Sequence, residues 1–376
     1  MILGCVNVIA DEMNPARVAA LRLGMGEAMT AFTVQINCGS GMQSIDTAYR
    51  YIREGAADLI LAGGAESLSH APLVFSRSAV NWYARLFAAR GIGARLSAFL
   101  GFRPSFLTPV IGLERGLTDP ITELNMGQTA ELVAHLFHVT RRQADEYAAE
   151  SQLRLAAAQK NNYFAGEIVP AFARDGTLFD HDDGVRPDSN ADALAKLRPA
   201  FERPWGKVTP GNSSQITDGA SWVILASEEA LLAHKLTPKA VIVDSEWSAL
   251  DPSVMGLGPC YCSTAILKRH QLALNDIELW ELNEAFAAQV LGCLAAWEDD
   301  EFCRDALRLP GAAGKIPRDR LNIDGGAIGV GHPVGASGNR IVLHLVNAMR
   351  RLGYKRGIAT ECIGGGQGGA MLIQMM

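Results

Sequence analysis

The sequence predicts an α/β protein made of two copies of a βαβαβαββ unit, each copy forming one largely parallel sheet. Three observations support this. Short apolar runs alternate with helical stretches along most of the chain. A glycine-rich turn that opens a long helix occurs once in each half, with Cys38 at the first turn and His332 at the second. After each of those helices comes a strand that ends in glycines, "LAGGAES" in one half and "TECIGGGQGG" in the other. Such self-similarity marks an internal duplication and places the helix starts of two pseudo-symmetric sheets around a shared centre.

The first half runs from residue 1 to about 73. It reads as a strand over 2–9, a helix over 15–23, a strand over 31–36, a helix over 41–54 and a strand over 57–62. That last strand empties into "GGAES" and a further short strand. The second half opens near Ala240 with "AVIVDSEW" as a strand. "DIELWELNEAFAAQVLGCLAAW" then supplies a strand and a helix. "LNIDGGAIGVGHPVGASGNRIVLHLVNAMRRLGY" supplies a strand, a glycine-rich turn and a helix, and "GIATECIGGGQGGAMLIQMM" a strand, a glycine loop and a closing strand. The division expected is therefore 1–73 with 201–236 as the first half, 237–376 as the second, and 74–200 as an insertion without a repeat partner that covers the active site.

At 376 residues, with 48% hydrophobic and 20% charged residues, the composition is that of an ordinary globular protein with room for two domains. A formal charge of −6 offers no case for nucleic-acid binding. No secretory signal pattern and no bilayer-length apolar run is legible, which predicts the cytosol or, in a eukaryote, the mitochondrial matrix. The seven cysteines are scattered, and Cys260-Tyr-Cys262 is too close for a zinc pair, so no metal site is expected.

The two copies differ in length. From Ala240 to His332 there are 92 positions, whereas 37 residues precede Cys38. Repeat logic predicts that roughly 55 residues, including the first strand of the first unit, are absent ahead of Met1. In such a sheet the first strand is expected to be central, so its loss should leave a gap or bare edges in the first sheet, and the chain as written should be poorly soluble or inactive.

Four stretches carry the chemistry: "NCGSGMQS" at 37–44, "NEAF" at 283–286, "GGAIGVGHPVGASG" at 325–338 and "CIGGGQGG" at 362–369. Cys38 stands at a helix start, where unpaired N–H groups and the dipole favour a thiolate. Glycines beside each polar residue let a ligand approach the backbone. In this order the four motifs resemble those of the thiolases, which make or break 3-oxoacyl-CoA by Claisen chemistry. "MGQTAE" at 126–131, "GVRPDS" at 184–189 and "KVTPGNSSQITDGAS" at 207–221 extend the resemblance across the chain.

The resemblance implies a thiolase-like fold of five layers, αβαβα, and a set of roles. Cys38 would be the acylated nucleophile. His332 would take its proton and donate to the thioester oxygen, with Asn283 holding a water in that first oxyanion hole. Cys362 would be the second acid/base, at the acetyl-CoA α-carbon. The N–H groups of Cys38 and Gly364 would form the second oxyanion hole. Ser214 would contact the pantetheine, while Met126 and Phe286 would line the substrate site. Coenzyme A enters as substrate, and no cofactor is implied, because the thioester already acidifies the α-carbon.

As to subtype, the stretch 76–109 and the 49 positions from Asn283 to His332 resemble the β-subunits of fatty-acid β-oxidation complexes. Those subunits mostly carry histidine at position 283, and asparagine there is common in short-chain acetyl-CoA acetyltransferases. The first reading is a broad 3-oxoacyl-CoA thiolase; the others are a biosynthetic acetyl-CoA acetyltransferase and an inactive thiolase-like binding protein. Expected partners are acyl-CoA, CoA, a second copy of the chain in a homodimer or homotetramer, and a β-oxidation α-subunit. The stretch 76–109 holds five arginines (Arg77, Arg85, Arg90, Arg95, Arg103) and no acid, interleaved with aromatics, which predicts either an amphipathic cover or weak contact with a membrane surface.

Overall fold

The computed structural model describes residues 1–376. Its first sheet contains β1 (Ile2–Gly4), β2 (Phe32–Val34), β3 (Leu59–Ser67) and β4 (Asp218–Ala226) in the order β2-β1-β3-β4. The second contains β5 (Ala240–Ala249), β6 (Leu279–Leu282), β7 (Arg356–Ile363) and β8 (Gln367–Met375) in the order β6-β7-β8-β5. In each sheet the last strand of the unit runs antiparallel: β4 against β3, and β8 against both β7 and β5. β1 lies parallel between β2 and β3, with Ile2 opposite both Phe32 and Ala62.

Two helices lie between the sheets: α2 (Ser40–Arg53), which follows α1 (Pro15–Arg22), and α9 (Val334–Leu352). Met42 and Ile45 of α2 and Ile341, Leu345 and Met349 of α9 form one buried cluster with Ile2 and Ile60 of the first sheet and Leu279 and Met371 of the second. Burial of this shared layer holds the two units together, each large apolar side chain contributing about 1.5–3 kcal/mol. On the far side of the second sheet, α7 (Gly258–Arg269) and α8 (Ala287–Glu298) pack with Trp280 and Trp297 into the larger core. Between the units run α3 (Arg77–Ala88), α4 (Ile92–Leu100), α5 (Met126–Leu136) and α6 (Arg141–Lys160).

The expected elements differ from the structure in four ways. The strand drawn over 2–9 stops at Gly4, after which Glu66 accepts hydrogen bonds from the N–H groups of Val6 and Asn7. "GGAES" is not an exit loop but the second half of β3, paired residue by residue with β4. The strand expected at "LNID" is reduced to a single bridge between Leu321 and Trp280. Finally, the opening strand of a unit is not central. In the second unit β5 pairs only with β8 and forms the sheet's edge. The first sheet has no internal gap, and its corresponding edge is β4, where Ile224 is 66% exposed.

The insertion is not one cover. Its α5 and α6 pack on the second unit, but 77–107 folds around its own small core of Ala79, Trp82 and Phe106.

Small residues set how closely helices and strands approach. A Cβ on Gly64 of β3 would lie 2.2 Å from the carbonyl oxygen of Gly335 at the start of α9, and neither backbone can yield. Gly64→Ala is expected to cost about 1–3 kcal/mol through overpacking. A lowered urea midpoint, with the slope unchanged, would show it.

Candidate active site

The four motifs meet at one end of the α2–α9 pair. Cys38 ends the loop that enters α2, and Asn37 before it adopts φ 48°, a left-handed conformation that asparagine tolerates. The Asn37 side-chain amide donates to the carbonyl of Gly364 at 2.7 Å, tying the Cys38 loop to the β7–β8 turn. Gly39 is required on the other side. A Cβ there would lie 2.5 Å from Cδ1 of Ile363 and 3.0 Å from the Trp247 ring.

The other loops are stitched to the same place by backbone hydrogen bonds. Asn283 N–H donates to Thr360 at 2.9 Å, and Ser214 N–H to Ala285 at 3.0 Å. His332 N–H donates to Gln215 at 3.0 Å, so the segment holding Ser214 spans the "NEAF" and histidine loops. The Ser214 backbone is thus placed, and its side chain is half-buried. Cys362, fully buried at the end of β7, packs with Met255 and Ala285, with Met126 and Phe286 against them. Phe286 also meets Phe201 edge-on at 6.3 Å between ring centroids. All eight expected residues therefore lie in or beside this one region.

The residues also leave polar capacity unfilled. His332 Nδ1 is 2.6 Å from Ser337 Oγ, and that hydroxyl donates to the carbonyl of Pro333 at 3.2 Å. The serine oxygen must then accept from Nδ1–H, which leaves the Nε2 lone pair unprotonated. Nε2 is buried and has no partner. Both side-chain polar atoms of Asn283 are likewise buried and unpartnered. Buried amides are normally satisfied, so this pair marks a place for a ligand or water. The backbone N–H groups of Gly364 and Cys38 favour the ionised form of the Cys38 sulfur.

Comparison with known proteins agrees with this geometry. The family model described as "Thiolase, N-terminal domain" matches residues 1–229, and "Thiolase, C-terminal domain" matches 236–375. The chain belongs to the thiolase family. Among its relatives, the β-ketoadipyl-CoA thiolase of Pseudomonas aeruginosa is 38% identical, over 100% of this chain and 86% of that protein. The mitochondrial trifunctional enzyme subunit beta of Bos taurus is 36% identical, over 100% of this chain and 78% of its own length. The crystal structure of human mitochondrial 3-ketoacyl-CoA thiolase in complex with CoA superposes with a TM-score of 0.83 at 36% identity, covering 100% of this chain and 86% of that one.

In this thiolase the electrostatics correct one expectation. Burial pushes the Cys38 thiol up to about 11, and the Gly364 N–H offsets only part of that. The helix start alone does not yield a standing thiolate; a base must take the proton. Burial, reinforced by the charge of Arg340, holds His332 down at about 4, so it is neutral and able to accept one. Burial also raises the Cys362 thiol well above its usual range, and proximity to Cys38 adds to this.

Several supporting residues escaped the sequence reading. Glu284, inside the "NEAF" stretch, is buried and accepts from Tyr147 Oη at 2.8 Å, Ser151 Oγ at 2.6 Å and Asn322 Nδ2 at 2.9 Å. It also accepts from Ile328 N–H at 3.3 Å, which anchors the turn leading to His332. Ser337 was within a quoted motif, and its five-residue distance from the histidine was the available signal. Nothing local marked Asn322.

A histidine held down in the folded state is uncharged above the unfolded value of about 6.5, and it costs stability progressively as pH falls from there toward about 4. The His332 ring resonances are therefore expected to stay in the neutral position down to the acid limb. Ser337→Ala releases the tautomer and should lower kcat about tenfold, less than the ~10²–10⁴ lost when a general base is removed.

Proposed function

We propose that the chain is a 3-oxoacyl-CoA thiolase, cleaving 3-oxoacyl-CoA to acetyl-CoA and a shortened acyl-CoA, and running the reverse condensation, through an acyl-Cys38 intermediate. The observation that carries this reading is a half-buried cysteine whose ionised form the Gly364 and Cys38 N–H groups favour, together with a neutral histidine nitrogen and a buried amide that both lack partners.

In thiolysis, His332 Nε2 takes the Cys38 proton, and the sulfur attacks the 3-oxo carbon. The oxyanion is received by the N–H groups of Cys38 and Gly364, donors of a kind that contribute about 2.7–4 kcal/mol each. Cleavage of the bond between C2 and C3 leaves the acetyl-CoA enolate. Protonated His332, with a water on Asn283, stabilises that enolate oxygen, and Cys362 supplies the proton to its carbon. CoA thiol, deprotonated by Cys362, then attacks the acyl-cysteine and releases the shortened acyl-CoA. Ser214 contacts the pantetheine, and Met126 and Phe286 face the acyl group. This division suits the buried thiols: each is protonated at rest and is ionised only while a partner is in place.

Acetyl-CoA acetyltransferase activity is the second reading, favoured by asparagine at position 283 and by the 37%-identical acetyl-CoA acetyltransferase of Chromobacterium violaceum. A homodimer or homotetramer and an α-subunit of a β-oxidation complex are the proposed protein partners. No helix is long and apolar enough to cross a membrane. The 77–107 helices, however, expose Phe87 (83%), Ile92 (88%) and Leu100 (79%) in a segment whose charges are all arginine. We place an anionic membrane surface against them.

Incubation with acetoacetyl-CoA followed by peptide mass spectrometry should find the acyl group on Cys38, and an acyl group on Cys362 alone would overturn the assignment. Cys38→Ser should nearly abolish turnover, because an alcohol is a far poorer nucleophile at neutral pH. Cys362→Ala should still be acylated but lose α-proton exchange of acetyl-CoA. Co-sedimentation with phosphatidylserine vesicles should fall with salt and with replacement of Arg85, Arg90 and Arg95 by glutamine; binding indifferent to both would refute membrane contact.

A further inference from the structure

Asn283 and Glu284 are neighbours on one buried loop, yet they stand in opposite states. Both polar atoms of the Asn283 side chain lack partners, whereas the Glu284 carboxyl is fully taken up. Its Oε1 accepts from Tyr147 Oη and Asn322 Nδ2, and its Oε2 from Ser151 Oγ and the Ile328 N–H. Tyr147 and Ser151 lie four residues apart on one face of α6, within the inserted segment. A carboxyl is costly to bury, and an apolar side chain would fill the same space at lower cost. What the carboxyl adds is a fixed separation between backbone segments that are far apart in sequence.

Those segments are the two that lead to Asn283 and His332. On one side, Asn322 passes the restraint to the end of β6. Its side chain donates to the Leu282 carbonyl at 2.8 Å and accepts from the Leu282 N–H at 2.9 Å, and the same Nδ2 reaches Glu284. Both backbone polar groups of the residue before Asn283 are held in this way. On the other side is the glycine turn that runs on to His332. Ile328 N–H donates to Oε2 directly, and Gly326 N–H donates at 3.1 Å to Ser151 Oγ, which itself donates to the same oxygen. A Cβ on Gly326 would lie 2.5 Å from Cδ of Glu284, so the turn closes on the carboxyl with no room to spare.

We propose that Glu284 is a positioning residue that sets the Asn283 amide and the His332 turn at one separation, so that the first oxyanion hole is formed before substrate arrives. The identity of that hole rests on the thiolase reading. Preorganised donors act in full only when they need not move during reaction, and a misplacement of about 1 Å costs on the order of 10²-fold in rate. His332 is held independently by Ser337 and by Gln215, whereas no hydrogen bond holds the Asn283 side chain. Loss of Glu284 therefore falls first on Asn283. The inserted helix α6 acquires a part in the site's geometry through Tyr147 and Ser151, without either one reaching the substrate.

Glu284→Gln keeps the size and replaces one acceptor by a donor. The hydroxyls of Tyr147 and Ser151 can turn to suit it, but the N–H groups of Asn322 and Ile328 cannot, so one of these two loses its acceptor whichever way the amide lies. Exchange of the acetyl-CoA α-protons should fall about ten- to a hundredfold, with kcat and kcat/KM for condensation falling together. On an Asn283→Ala background the same change should add less than about twofold, because the residue it acts through is gone. Amide hydrogen exchange, read by peptide mass spectrometry without substrate, should quicken together at Leu282 and at Gly326 and Ile328. Tyr147→Phe serves if the glutamine variant does not fold, with a fall of about two- to tenfold that again needs Asn283. An undiminished effect on the Asn283→Ala background, wild-type α-proton exchange in a folded variant, or amide exchange that quickens at one segment and not the other would overturn the proposal. A wild-type protein without α-proton exchange, whose two segments still loosen together in the variant, would uphold the shared restraint and count against the thiolase reading alone.

Discussion

Everything at the active site depends on how closely the starts of α2 and α9 approach. A Cβ on Gly41 would lie 2.7 Å from the backbone nitrogen of Asn339, and one on Gly338 would lie 2.6 Å from that of Met42. Backbone-to-backbone contact of this kind needs residues without side chains on both helices. Gly4 and Gly64 do the same for the strands beneath, against Ser40 and Gly335. With these four positions small, the helix starts that follow Cys38 and His332, from opposite halves of the chain, lie against each other.

Around that contact the protein keeps neutrality where the chemistry is and charge where the architecture is. Cys38, Cys362, His332 and Glu361 are all driven by burial toward their uncharged forms. One helical stretch farther along α9, His344 is raised to about 10 by Glu167 and Glu281, with Asp324 hydrogen-bonded to it, although burial alone would lower it. That cluster fastens the inserted segment, through Glu167, to the central layer. A permanent charge there is matched by fixed partners. At the active site, charge is met instead by N–H donors that wait for it, an arrangement with little reorganisation during reaction.

Much of this was legible from residue order. The alternation of apolar runs, the paired glycine-rich turns and the four motifs indicate a duplicated α/β unit with Cys38, His332, Asn283 and Cys362 around one centre. Glu284 and Ser337 were visible but not interpretable, because a carboxylate beside a helix and a serine in a glycine-rich turn each have an ordinary surface use. Asn322 and Glu361 gave no local sign at all; their surroundings come from residues far away in the chain.

What the sequence determined by itself was therefore periodicity and local backbone freedom: which segments are strands and helices, and where glycine permits close approach. What only the tertiary structure decided was solvent exposure. The helix start at Cys38 argues for a thiolate, but burial outweighs it and moves the thiol the other way. The same holds for sheet order, in which β5 proved an edge strand rather than a central one, since pairing partners are chosen across the chain. Helical and strand patterns are set by neighbours within a few residues, whereas desolvation and strand pairing are set by whatever the fold brings from elsewhere.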